Sequence, residues 1–189
     1  MKKVIKLLLA ALLSFAIFGC SDSGEADKDY VPEHSEWGFK DYETFSKARS
    51  AWKEPSSYSY TITATCVGFN YIIDVNVTNG EVVLSHNPKE FQFDGKYHYT
   101  PEDECKMTGF TIGTITELFE SIENRNKEYA AHDYKNDKHC YGYNIGIKYT
   151  DSNNMLLPVY VYCGEECRKD VVGVSPVILK INDFKILSE

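Results

Sequence analysis

The residues of this chain able to do chemistry are six cysteines, 28 carboxylates and five histidines, joined by fourteen tyrosines whose rings could bind a ligand. Cys66, Cys105, Cys140, Cys163 and Cys167 are disulfide candidates if the chain enters an oxidising compartment. Their number is odd, so at least one thiol stays free or pairs between chains, and several connectivities are open. Cys163 with Cys167 is the first expectation, because closing the short loop Gly164-Glu165-Glu166 costs little chain entropy. Cys105 with Cys140 is the second, since each flanks the polar region around a candidate helix. Cys66 falls on the apolar side of an alternating run and reads as a small buried residue or the free thiol. Neither pair has Cys-x-x-Cys spacing, and zinc would need ligands from afar such as His139 with Cys140, so no metal is assigned.

The carboxylates are numerous but unorganised. Glu102-Asp103-Glu104 after Pro101, and Asp151 with Asn153 and Asn154, lack the central glycine and terminal glutamate of a calcium loop and read as solvated turns. The sequence contains no serine elbow, zinc-protease helix, phosphate loop or dinucleotide fingerprint. Asp183 and the pair Glu165 and Glu166 are the acids available for proton transfer, and His132 and His139 lie in a polar loop. None is assigned a catalytic role, and no cofactor is implied. Tyrosine favours half-buried strands, so packing accounts for most of the fourteen. Tyr141, Tyr143, Tyr160 and Tyr162 are expected on an exposed sheet face, where rigid amphipathic rings suit an envelope protein or a glycan.

The elements that must position these residues follow from hydrophobic spacing. Phe45, Ala48 and Trp52 mark one side of a helix that Pro55 prevents from continuing. Tyr58, Tyr60, Ile62, Ala64 and Cys66 alternate with Ser59, Thr61, Thr63 and Thr65, the period of a half-buried strand. A second alternating run, Tyr71 to Val77, meets Asn79-Gly80 and continues into Val82, Val83 and Leu84, the pattern of a type I′ hairpin. Phe91 to Tyr99 offers another hairpin around Asp94-Gly95. Thr114 and Glu117 form a capping-box pattern ahead of Ile115, Leu118, Phe119 and Ile122, a second amphipathic helix that residues 124–139 are expected to close as a polar loop. Three further runs, around Tyr141–Tyr149, Leu157–Cys163 and Val177–Ile181, complete the strands. Short links between neighbouring strands force antiparallel pairing, so the class is α+β: an antiparallel sheet of about six strands with two amphipathic helices on one face.

The amino terminus is an address. Lys2, Lys3 and Lys6 precede an apolar or small stretch from Leu7 to Phe18, too short to cross ~30 Å of hydrocarbon, which needs about 20 residues. The ending Ile17-Phe18-Gly19-Cys20 resembles the lipobox at which bacterial lipoprotein signal peptides are cut. That resemblance makes 1–19 the signal peptide and Cys20 the lipidated first residue of the mature chain, a stable anchor when several acyl chains are attached. Residues 20–37 then form a lipidated cysteine and an acidic flexible tether, and 38–189 a single domain. Ser21 lacks the aspartate that marks inner-membrane retention, so the outer membrane is the expected location. The net charge of −8 divides between a positive export segment and a remainder with 28 acids against 17 bases, which disfavours nucleic acid as a partner.

Trp52 ending a helix, then YSYTITATC, VNVTNGEVV, TITELFESI, YTDSNNMLLPVYV and ILKINDFKI together resemble a family of uncharacterised bacterial lipoprotein and secreted domains over about residues 42–187. The resemblance implies no established activity and no catalytic residues. The expectation is a membrane-anchored envelope lipoprotein in a non-enzymatic binding or structural role. The alternatives are a small envelope hydrolase working through its carboxylates, and an inhibitor-like module presenting the loop at residues 163–170.

Overall fold

The computed structural model describes residues 38–66, 69–87, 99–152, 155–168 and 176–187, all within one compact unit, His34–Glu189. The expected signal peptide, Cys20, the expected tether and the expected hairpin around Asp94-Gly95 lie outside the described residues. The elements in chain order are β1 (Gly38–Phe39), α1 (Tyr42–Ala51), β2 (Ser57–Cys66), β3 (Phe69–Thr78), β4 (Glu81–His86), α2 (Pro101–Thr108), α3 (Ile115–Ala131), β5 (Cys140–Ser152), β6 (Met155–Cys167) and β7 (Val177–Ile186).

The α+β class holds, with one strand and one helix more than expected. The seven strands form one sheet ordered β1-β5-β6-β7-β2-β3-β4, antiparallel throughout except where β1 runs parallel to β5. Two up-and-down units, β2-β3-β4 and β5-β6-β7, are joined along β2 and β7. The Asn79-Gly80 hairpin forms as its residues dictate: both have positive φ, 52° and 82°, and Thr78 stands opposite Glu81.

The strands bury one face. Tyr58, Tyr60, Ile62, Ala64 and Cys66 are buried and the residues between them half-buried, and the same alternation puts Ile73, Val75, Ile145, Val161, Leu179 and Ile181 in the same core. All three helices contribute to that core: Phe45 and Ala48 from α1, Cys105 from α2, and Ile115, Leu118, Phe119 and Ile122 from α3. The expected capping box starts α3, with the Thr114 hydroxyl accepting from the Glu117 amide at 3.1 Å and the Glu117 carboxylate accepting from the Thr114 amide at 2.8 Å. α3 does not break into a loop at 124. It runs to Ala131, supported by the Arg125–Glu128 and Lys127–Glu123 pairs one turn apart and by Tyr129 packing inward on Tyr143.

The acidic run after Pro101 is not a solvated turn but the first turn of α2. Thr100 caps it, Pro101 begins it, and Glu104 is turned inward, 4% exposed, with its carboxylate 3.3 Å from His86 on β4. Gly109 ends α2 in the left-handed region at φ 67°, and its carbonyl accepts from the Arg125 guanidinium at 2.8 Å. A Cβ at this position would fall on that guanidinium. Gly109→Ala is therefore expected to lose about 1–2 kcal/mol from backbone strain and displacement of Arg125, read as a lower chemical-denaturation midpoint with an unchanged slope.

Candidate functional site

Helices cover one side of the sheet. On the other side no helix lies among the described residues, and the side chains there come from alternate positions of five strands. Register sets them in rows. Lys148 of β5 stands opposite Tyr160 of β6, Tyr160 opposite Lys180 of β7, Lys180 opposite Thr63 of β2, and Thr63 opposite Ile72 of β3. The neighbouring row runs Gly146, Tyr162, Ile178, Thr65 and Asn70. Tyr160 and Tyr162 thus stand side by side, half-buried, two residues apart on one strand. The Lys148 ammonium lies 5.4 Å from the centre of the Tyr160 ring.

Around these rings the surface mixes Ile72 and Ile178 with polar groups. Asp74 accepts from Thr61 at 2.7 Å and from Asn87 at 2.6 Å, and the Thr65 hydroxyl donates to the Asn70 amide oxygen at 2.6 Å. Glu166 accepts from Asn144 at 3.1 Å. Gly164 leaves room for Pro176 and the Tyr162 hydroxyl, both of which a Cβ would approach within 3.0–3.2 Å.

Of the four tyrosines expected on an exposed sheet face, Tyr160 and Tyr162 occupy the helix-free side. Tyr143 does not. It is an odd step along β5, turned toward α3, where its hydroxyl donates to Asn126 at 3.2 Å and its ring packs on Tyr129 and Tyr134. Tyr141 sits at the irregularity between Cys140 and Gly142, outside the regular ladder that forms the rows.

Two buried tyrosines do structural work instead. The Tyr60 hydroxyl donates to the Gly113 carbonyl at 2.7 Å, and Tyr58 accepts from the Ile115 amide at 3.0 Å while donating to Glu54. Glu54 also accepts from Trp52 at 3.0 Å and from both the amide and hydroxyl of Thr116, so one carboxylate anchors the start of α3 to β2. Burial first, then the Glu54 carboxylate, pushes the Tyr58 hydroxyl well above its ordinary range, and burial does the same for Tyr60.

The cysteines pair otherwise than expected. The disulfide joins Cys140 to Cys167, taking one partner from each expected pair. Cys163 and Cys167 lie on the same extended strand, where four residues span about 13 Å, beyond the ~7 Å that a bridge tolerates. Across the β5–β6 ladder, by contrast, Cys140 stands directly opposite Cys167. Cys105 is held in α2 against the core, away from that ladder. Cys66, Cys105 and Cys163 remain buried free thiols, and burial pushes the thiols of Cys105 and Cys163 up to about 12. Bridged Cys140 has no thiolate to offer a metal beside His139.

The acids considered for proton transfer do not converge. Successive residues on a strand point to opposite faces: Glu165 accepts from Tyr134 at 3.0 Å on the helix side, and Glu166 accepts from Asn144 on the other. Asp183 is exposed on β7 at φ 53°. His132 and Asp137 do meet, at 2.6 Å beyond the end of α3. Asp137 is held low, at about 2, by accepting from the amides of His139 and Cys140 and then from His132, so it serves as the clasp of the turn that enters β5.

Sequence reasoning passed over His86, Glu54, Lys148 and Lys180. Alternation from Val82 and Leu84 carries His86 to the inward side, which is the signal that would have found it. Comparison of the chain with protein-family models, curated proteins and solved structures found no match in any of the three.

Proposed function

We propose that the chain is a lipid-anchored envelope protein, held by Cys20 in the outer membrane, whose domain binds a partner through the helix-free face of its sheet. The anchor rests on the basic, apolar and Gly19-Cys20 sequence of the first twenty residues. The binding role is carried by one observation: Tyr160 and Tyr162 lie side by side on a sheet face that no described helix covers. Rigid rings on a rigid scaffold lose little entropy on binding, which makes such a face suited to recognition. The hydrolase alternative loses its paired acids, because Glu165 and Glu166 are split between the two faces. The inhibitor alternative centres on residues 163–170, of which 163–167 are part of β6 and 169–170 lie outside the described residues.

Two measurements test this. The full chain expressed with labelled fatty acid should incorporate label and fractionate with membranes, and Cys20→Ala should abolish both. Affinity capture from envelope extracts should retain a species that the Tyr160→Ala/Tyr162→Ala variant retains at least about fivefold less, a loss of ~1 kcal/mol or more. Capture unaffected by the double substitution would remove the face from the proposal.

A further inference from the structure

We propose that the row Lys148–Tyr160–Lys180 takes an anionic polysaccharide, an inference that rests on the helix-free face being the binding surface. Three observations carry it. The first is placement: Tyr160 has a lysine directly opposite on each neighbouring strand, Lys148 on β5 and Lys180 on β7. Adjacent strands lie about 4.8 Å apart, so two ammonium groups flank one ring across a span of roughly 10 Å.

The second is charge. The chain carries a net charge of −8, yet among the described residues neither lysine forms an ion pair, whereas Lys47, Lys106 and Lys127 each do. Asp74 and Glu166 on this face bond Thr61, Asn87 and Asn144 and form no ion pair with either lysine. Two lysines with no ion pair among the described residues thus flank one ring on a chain of net negative charge, which favours an anion at this place over a cation.

The third is composition. Beside the row stand the hydroxyls and amides of Thr61, Thr63, Thr65, Asn70 and Asn182, together with the aliphatic Ile72 and Ile178. A sugar polymer needs what is present: a flat ring for the C–H face of a pyranose, hydroxyl and amide groups for its rim, and cations for its acid groups.

The test uses the full chain in detergent, run by affinity electrophoresis at low salt in gels containing polygalacturonate, dextran sulfate, neutral dextran or polyglutamate. Retardation by polygalacturonate or dextran sulfate is expected, the two arms separating carboxylate from sulfate, with none by dextran or polyglutamate. Lys148→Gln/Lys180→Gln and Tyr160→Ala should each weaken it at least about fivefold, and Lys148→Arg/Lys180→Arg should retain it. Equal retardation by polyglutamate would replace the glycan with an acidic peptide, and equal retardation by dextran would remove the role of the lysines. No retardation by either acidic polysaccharide, or retardation indifferent to the substitutions, would overturn the inference. Should these fail while envelope capture still depends on Tyr160 and Tyr162, the binding face stands and its ligand is not an anionic glycan.

Discussion

Phe119→Ala is expected to destabilise the domain by about 3–5 kcal/mol and lower its melting temperature by roughly 8–15 °C. Phe119 is 1% exposed and sits where three pieces meet: its ring centre is 5.7 Å from Phe45 of α1 and 6.3 Å from Trp52 in the link to β2. Truncation removes its own burial and leaves both rings facing a void, and the cavity adds to the transfer cost because neighbours fixed in separate elements relax only partly. Phe119→Leu keeps most of the volume and should cost less than about 1.5 kcal/mol. Circular dichroism melts of the two variants check the pair. A loss under about 2 kcal/mol for the alanine variant would mean that α1 and α3 close over the gap.

Removing the Cys140–Cys167 bridge is expected to cost about 3.5 kcal/mol, the loop-closure entropy of the 27-residue separation released to the unfolded chain. Cys140→Ala/Cys167→Ala should show this as a lower denaturant midpoint, and the wild type under reductant should match it. Thiol titration checks the pairing independently. The native protein should react slowly, because Cys66, Cys105 and Cys163 are buried and burial pushes Cys105 and Cys163 up to about 12, which leaves little thiolate at neutral pH. Denaturation without reductant should release the thiols of those three, and reductant should add the two of Cys140 and Cys167. Persistence of a Cys163–Cys167 bridge in peptide mapping would contradict the β6 strand itself.

What was legible in the sequence was what depends on neighbours a few residues away. The Asn79-Gly80 turn, the Thr114/Glu117 capping box and the inward set of β2 are local decisions, and each formed as its residues require. α2 escaped because its eight residues show too few apolar positions for a helical period, although Thr100-Pro101, three acids and a closing Gly109 are start and stop signals for a helix. The disulfide escaped because it is a consequence of β5–β6 register, which places Cys140 against Cys167 only once both strands exist. The face of Tyr143 and the lysines flanking Tyr160 belong to the same category: a one-residue step along β5 decides which side of the sheet a ring serves, and the cross-strand partners of Tyr160 come from segments distant in sequence. The first strand, two residues long, pairs with β5 and carries no periodic signal of its own.

The position of β7 has a bearing on how the molecule comes into being. β2 finds one partner at once in β3, but its other edge waits for residues more than a hundred positions later, as in the pairing of Tyr58 with Ile186. Without Val177–Ile186 the chain has the β2-β3-β4 meander and the β5-β6 hairpin with its short β1 neighbour, each with an unpaired edge. The two halves of the sheet are joined only through β7, so its middle depends on a segment near the end of the chain. Without that strand, the edges of β2 and β6 that β7 covers would both stand bare.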